Sequence, residues 1–81
     1  MSDDPSIFAY EIHAKAYGRE PHPLRPFPSV TGPIIWEGLN ARFTVEARSA
    51  ADALVQAQVG LEAQYEDGHL YSYRITGVRP A

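Results

Sequence analysis

The chain has no cysteine among its 81 residues. This absence excludes disulfide bonds, zinc sites built on thiolates and a cysteine nucleophile. Packing or association must therefore stabilise the fold, and a small secreted scaffold is disfavoured.

Long apolar runs are missing as well. No stretch approaches the roughly 20 residues that a membrane-spanning helix requires, and the start, MSDDPS, is acidic where a signal peptide is basic. We expect a cytoplasmic protein without membrane contact. The chain has one lysine against six arginines and is rich in alanine, proline and glycine, which is typical of a GC-rich bacterial or phage genome.

Positive charge is scarce. The formal net charge is -3 and the pI is about 5.4, which argues against a protein that relies on overall charge to attract nucleic acid or anionic membrane. The composition leaves binding through a local basic patch as an alternative. Hydrophobic residues make up 44% of the chain, as is typical of folded proteins, and the length gives room for one domain, residues 1–81.

Apolar and polar side chains alternate in residues 7–17, 41–48 and 69–79, and this period of two predicts three half-buried strands. Between the second and third strands, Ser49 is placed as the N-cap of a helix whose apolar stripe repeats every 3.6 residues to about Tyr65. Gly60 lies inside that stripe. Either the helix breaks there, or its backbone approaches the sheet closely.

This element order predicts an α+β fold of the split β-α-β type, half of a ferredoxin-like architecture. The crossover rules place the first strand between the other two, in a three-stranded antiparallel sheet of order 2-1-3 with one helix on one face. Residues 1–6 are expected to form a flexible tail. Gly77 is a candidate bulge in the last strand.

A loop predicted over residues 18–33 contains five prolines, and loops this long in a small domain are often functional. Proline fixes the backbone in advance, so the loop would present its side chains to a protein partner at a reduced entropic cost. The alternative is a rigid connector that buries Phe27 on the sheet edge. The candidate partner-binding residues are Arg19, His22, Arg25, Phe27 and Trp36.

The sheet face without a helix is a second candidate surface. In the predicted phase it carries Glu11, His13, Lys15, Arg42, Arg48 and Arg74. Arginine forks suit phosphate and carboxylate alike, although such mixed charges are also ordinary on a solvated sheet. Sheet-type nucleic-acid binders need exposed aromatic rings, and the phase places the tyrosines on the helix side. A shift of one residue would turn them outward.

Glu11 and His13 point the same way and form a candidate acid–base pair. Neither a nucleophile motif nor a glycine-rich phosphate loop accompanies them, and the histidines lack metal-ligand spacing. We therefore expect no enzyme activity, no cofactor and no metal. The first hypothesis is a non-enzymatic protein-interaction or regulatory module of the inhibitor or adaptor type. It would bind through the proline-rich loop, a sheet edge or the open sheet face, and homodimer formation would fit. The alternatives are a nucleic-acid-binding protein and a small enzyme or ligand-binding domain using Glu11 and His13.

Overall fold

The structure is a computed structural model that describes residues 6–81. The α+β class is confirmed, and the elements are β1 (Phe8–Gly18), β2 (Val30–Glu37), β3 (Asn40–Ala47), α1 (Ala50–Glu66) and β4 (Leu70–Pro80). Apart from Ser6, the predicted flexible tail lies outside the described residues. Among residues 6–81 there is no helix with the length and apolar character that crossing a membrane requires.

The strands form one sheet of order β2-β3-β1-β4, in which every neighbouring pair is antiparallel. β3 and β4 are both antiparallel to β1 and therefore parallel to each other, and α1 connects them across β1. The predicted order of these three strands is present. The prediction of a three-stranded sheet is wrong, because β2 adds a fourth strand beside β3.

β2 escaped prediction because it contains Pro33, which a sheet interior does not accept. The strand lies at the sheet edge, and its register with β3 breaks between Thr31 and Ile35, so Pro33 is outside the regular ladder. A two-residue turn at Gly38 and Leu39 joins β2 to β3, with Gly38 at a φ of 63°. The irregular part of the proline-rich segment is therefore residues 19–29, shorter than the predicted 18–33.

The core lies between the sheet and α1. Its largest fully buried side chains are Phe43, Ile12, Leu61 and Val45. The predicted faces of the first two strands are correct, since β1 and β3 bury their alternate small and apolar residues against the helix. Within residues 6–81 no helix covers the other face of the sheet.

Helix α1 begins as the sequence predicts. The hydroxyl of Ser49 accepts from the amide of Asp52 at 3.1 Å, and the Asp52 carboxylate accepts from the amide of Arg48 at 3.1 Å. The helix continues through Gly60. The close neighbour of that glycine is the proline-rich loop rather than the sheet, because an added Cβ would lie 2.6 Å from the ring of Phe27.

β4 contains two bulges where its pairing with β1 shifts. Thr76 is the extra residue at the first, one position before the predicted bulge at Gly77, and Tyr71 is the extra residue at the second. Because of the second bulge, the first residues of β4 lie on the faces opposite to those that strict alternation predicts. Leu70 is 2% exposed in the core, and Tyr71, predicted with the other tyrosines on the helix side, is 55% exposed. The prediction for Tyr71 is wrong for this reason.

Candidate functional site

The proline-rich loop is fastened to α1 through its backbone. The side chain of Gln64 accepts from the amide of Arg25 at 2.7 Å and donates to the carbonyl of the same residue at 3.0 Å. Gln64 is only 7% exposed, so these two bonds satisfy a buried amide group. They also fix the course of the loop along the helix.

Phe27 completes this attachment. Its ring meets Phe43 edge to face, with centroids 5.6 Å apart, and fills the space above Gly60. The ring is half-buried and packs against the core. The connector alternative therefore describes Phe27 well, although the ring packs on the helix and on β3 rather than on the sheet edge.

The other predicted partner-binding residues do not form one cluster. The rings of His22 and Trp36 contact each other, with centroids 5.2 Å apart. Arg25 and Phe27 lie beside α1 and line a different groove. Arg19 lies at the end of β1, near Tyr17. Arg19, His22 and Arg25 are exposed.

On the open face, Glu11 and His13 form a hydrogen bond of 2.8 Å, as their predicted common orientation allows. The guanidinium of Arg42 lies 3.9 Å from the Glu11 carboxylate, and Arg79 is the partner of Glu11 across β1 and β4. The hydrogen bond from His13 lowers the pKa of Glu11, and the charges of Arg42 and Arg79 act in the same direction. Sequence reasoning missed Arg79, because the bulges of β4 decide which way its end faces.

Lys15 and Arg74 face each other directly across β1 and β4. Within residues 6–81 neither of them makes an ion pair. Like charges opposite each other destabilise a sheet, and an anion bound over them would relieve the repulsion. Both residues were predicted on this face, but their direct opposition could not be read before the register was known.

Two tyrosines lie next to these cations. Tyr17 is opposite Ser72, one pair along the same face from Lys15 and Arg74, and its ring contacts that of Tyr71 with centroids 5.7 Å apart. Tyr17 is 52% exposed and Tyr71 55%. We call this the tyrosine pair. The bulge at Tyr71 creates it, and no sequence signal marks that bulge.

Charge is divided between the two sides of the molecule. The described strands place four cations on the open face, Lys15, Arg42, Arg74 and Arg79, against three carboxylates, Glu11, Glu37 and Glu46. Helix α1 on the other side has Asp52, Glu62 and Glu66 and no basic residue. The open face therefore carries a small excess of positive charge, although the net charge of the chain is -3. Arg48, the remaining predicted residue, follows the end of β3 and is exposed.

Two further properties bear on function. An apolar groove of about 500 Å³ lies between α1 and the proline-rich loop, beside the exposed Val55 and Val59. The part of the chain that the structure describes holds no group of three histidine or acidic side chains arranged for a metal ion. Comparison with protein-family models, curated proteins and solved structures finds no significant match.

Proposed function

We propose that the protein is a non-enzymatic module that binds single-stranded nucleic acid on its open sheet face. The observation that carries this proposal is the opposed pair Lys15 and Arg74, without an ion-pair partner in residues 6–81, directly beside the exposed tyrosine pair. Flat aromatic surfaces next to cations are the combination with which sheet proteins bind single strands.

Each part of the surface has a distinct task. Unpaired bases stack on Tyr17 and Tyr71, since every base offers a flat face to an aromatic ring. Phosphates take the place of the missing counter-charge between Lys15 and Arg74. The carboxylate of Glu11, which would repel phosphate, is held by His13 and Arg42. In this proposal Glu11 and His13 shape the charge of the face and have no catalytic task.

A binding titration tests the proposal. The anisotropy of fluorescently labelled, mixed-sequence single strands of DNA and RNA is followed at low salt. Loss of Tyr71 in Tyr71→Ala should weaken binding by about five- to a hundredfold, the range expected for one lost base stack. Changing both Lys15 and Arg74 to Gln should reduce the slope of log affinity against log salt by about 0.7 for each cation removed.

Matched controls use the opposite side of the molecule. Tyr65→Ala removes a tyrosine that is 47% exposed on α1, and Arg25→Gln removes an exposed cation whose backbone alone holds the loop. Both controls should bind as the wild type does. If no strand binds at low salt, or if Arg25→Gln weakens binding as much as the double change of Lys15 and Arg74 to Gln, the proposal fails.

The second candidate is the non-enzymatic protein-interaction module. The groove between α1 and the proline-rich loop favours it, because Val55 and Val59 are 54% and 65% exposed and stand beside Pro26, Phe27 and Pro28. Apolar side chains of a partner protein, or of a second copy of this chain, would fill it.

Two measurements test this candidate: sedimentation of the purified protein, and affinity capture of partners from a bacterial host. Each compares the wild type with Val59→Glu. A charge in the groove should abolish self-association or the recovery of a partner seen with the wild type. Identical behaviour of the two proteins would exclude the groove as the binding site.

A further inference from the structure

A shallow pocket of about 290 Å³ lies at the end of β1, immediately beside the tyrosine pair. Tyr17 belongs to both, because its ring contacts Tyr71 and the residue also lines the pocket. The other walls come from the first part of the proline-rich loop and from the β2–β3 turn: Arg19, Glu20, Pro21, Pro23 and Leu39. The pocket thus continues the aromatic surface past the sheet.

The walls of this pocket are fixed by contacts of their own. The carbonyl of Leu39 accepts from the amide of Ala16 at 3.0 Å, which ties the β2–β3 turn to β1. Pro23 is buried against Gly18, where an added Cβ would lie 2.6 Å from the proline Cβ and would overlap the carbonyl oxygen of His69. Leu39, in contrast, leaves 47% of its surface exposed. The pocket is therefore formed before any ligand arrives, with an apolar side chain facing solvent.

We propose that this pocket holds one nucleobase of the single strand bound on the tyrosine pair. The inference rests on the proposed function and adds a subsite to it. Leu39, Pro21 and Pro23 would contact the faces of the base, and Arg19 and Glu20 offer a donor and an acceptor at the rim for its polar edge.

The position of the pocket next to the tyrosine pair indicates that a nucleobase occupies it. A strand stacked on Tyr17 and held by Lys15 and Arg74 must leave the sheet at the end of β1 or turn back along β4. At the end of β1 it meets this pocket, which apolar residues and Arg19 line together. A base needs a flat apolar surface and a neighbouring phosphate needs a positive charge, and the lining of the pocket offers both.

The variant Leu39→Ser tests the subsite, and Tyr65→Ser is its matched control. Tyr65 is 47% exposed, as Leu39 is, and lies on α1 outside the pocket. Anisotropy is measured with labelled single strands of increasing length, from dinucleotide to dodecanucleotide. Leu39→Ser should weaken the binding of the longer strands about five- to tenfold and leave the dinucleotide nearly unaffected, while Tyr65→Ser binds as the wild type does.

Photo-cross-linking provides the second measurement. A strand carrying iodouracil is irradiated on the wild type, and the cross-linked peptide is identified by mass spectrometry. Attachment within residues 16–23 or at Leu39 is expected. If strands bind, but Leu39→Ser and Tyr65→Ser bind them equally well and the cross-link maps to β4 alone, the subsite is wrong and the proposed function stands. If no strand binds any variant, both fail. If an acidic peptide binds with the same dependence on Leu39, the pocket belongs to a protein partner instead.

Discussion

The two faces of the sheet follow different physical rules. The face under α1 is closed in detail: Phe27 fills the space that Gly60 leaves, and Gln64 satisfies the backbone of Arg25. On the open face Lys15 lies directly opposite Arg74, and Tyr17 and Tyr71 are each about half exposed. Stability alone favours the first arrangement and disfavours the second. Substitutions should therefore change the free energy of unfolding on the covered face and binding on the open one.

The largest effect on the covered face is expected from Phe27→Ala. The ring packs against Phe43 and the helix backbone, so its removal leaves a cavity between the loop and α1. Because the ring is only half-buried, we expect the free energy of unfolding to fall by about 3 kcal/mol, near the low end for such changes. Urea denaturation followed by circular dichroism measures it. A loss below about 1 kcal/mol would mean that the loop is not part of the core.

Gly60→Ala gives this prediction a matched test. Alanine favours a helix over glycine by about 1 kcal/mol, but here its methyl group meets the Phe27 ring. Gly60→Ala should therefore be less stable than the wild type, because overpacking costs about 1 to 3 kcal/mol. In the Phe27→Ala background the same change should raise the free energy of unfolding, since the obstructing ring is gone. Additive effects in this double-mutant cycle would contradict the packing described here.

The next effect is expected from Gln64→Met, which keeps the size of the side chain and removes both hydrogen bonds to Arg25. Two bonds of about 1 kcal/mol each predict a loss of about 2 kcal/mol. Gln58→Met is the control, because Gln58 is exposed on the same helix. It should stay within about 0.5 kcal/mol of the wild type. Faster proteolysis within residues 19–29 of Gln64→Met would show that the bonds hold the loop.

On the open face, in contrast, we expect a substitution that raises the free energy of unfolding. Lys15→Glu turns the repulsion with Arg74 into attraction, so it should raise the free energy of unfolding by about 0.5 kcal/mol. The same variant should lose nucleic-acid binding, because a carboxylate now occupies the phosphate position. Lys15→Gln is the control and should show a smaller change of both quantities. A variant that is destabilised and still binds would remove the basis for the contrast between the faces.

The sequence predicted the covered face far better than the open one. Regular alternation in β1 and β3 and the Ser49 cap are local signals, and the structure has them where predicted. The tyrosine pair depends on one extra residue in β4 at Tyr71. A bulge is decided by how two distant strands pair, so a pattern read along one strand carries no mark of it.

The prediction for the proline-rich segment was wrong for a related reason. Pro33 argues against a strand in a sheet interior but not against an edge strand with a broken register, and the sequence does not say which strand lies at the edge. The attachment of Gln64 to Arg25 joins residues 39 positions apart. A glutamine on a helix is usually in water, so only the fold reveals that this one is buried.

The smallest expected effect concerns a hydrogen bond between β4 and α1, in which the Tyr73 hydroxyl donates to the Glu62 carboxylate. This bond raises the pKa of Tyr73 from 10.0 to about 12, with burial adding to the shift. A raised pKa means that the folded state holds the proton more tightly than the unfolded state does. The stabilisation is thus fully present below pH 10 and is lost as the pH rises toward about 12.

Tyr73→Phe should therefore lose a small part of the free energy of unfolding at neutral pH, and its difference from the wild type should shrink between pH 10 and about 12. Tyrosinate absorbance of the two folded proteins isolates the Tyr73 titration, and Tyr65→Phe serves as the control. A Tyr73 midpoint near 10 in the folded protein would show that the bond to Glu62 does not persist in solution. In that case the covered side would be closed by its loop alone, and the contrast with the open face would rest on Phe27 and Gln64.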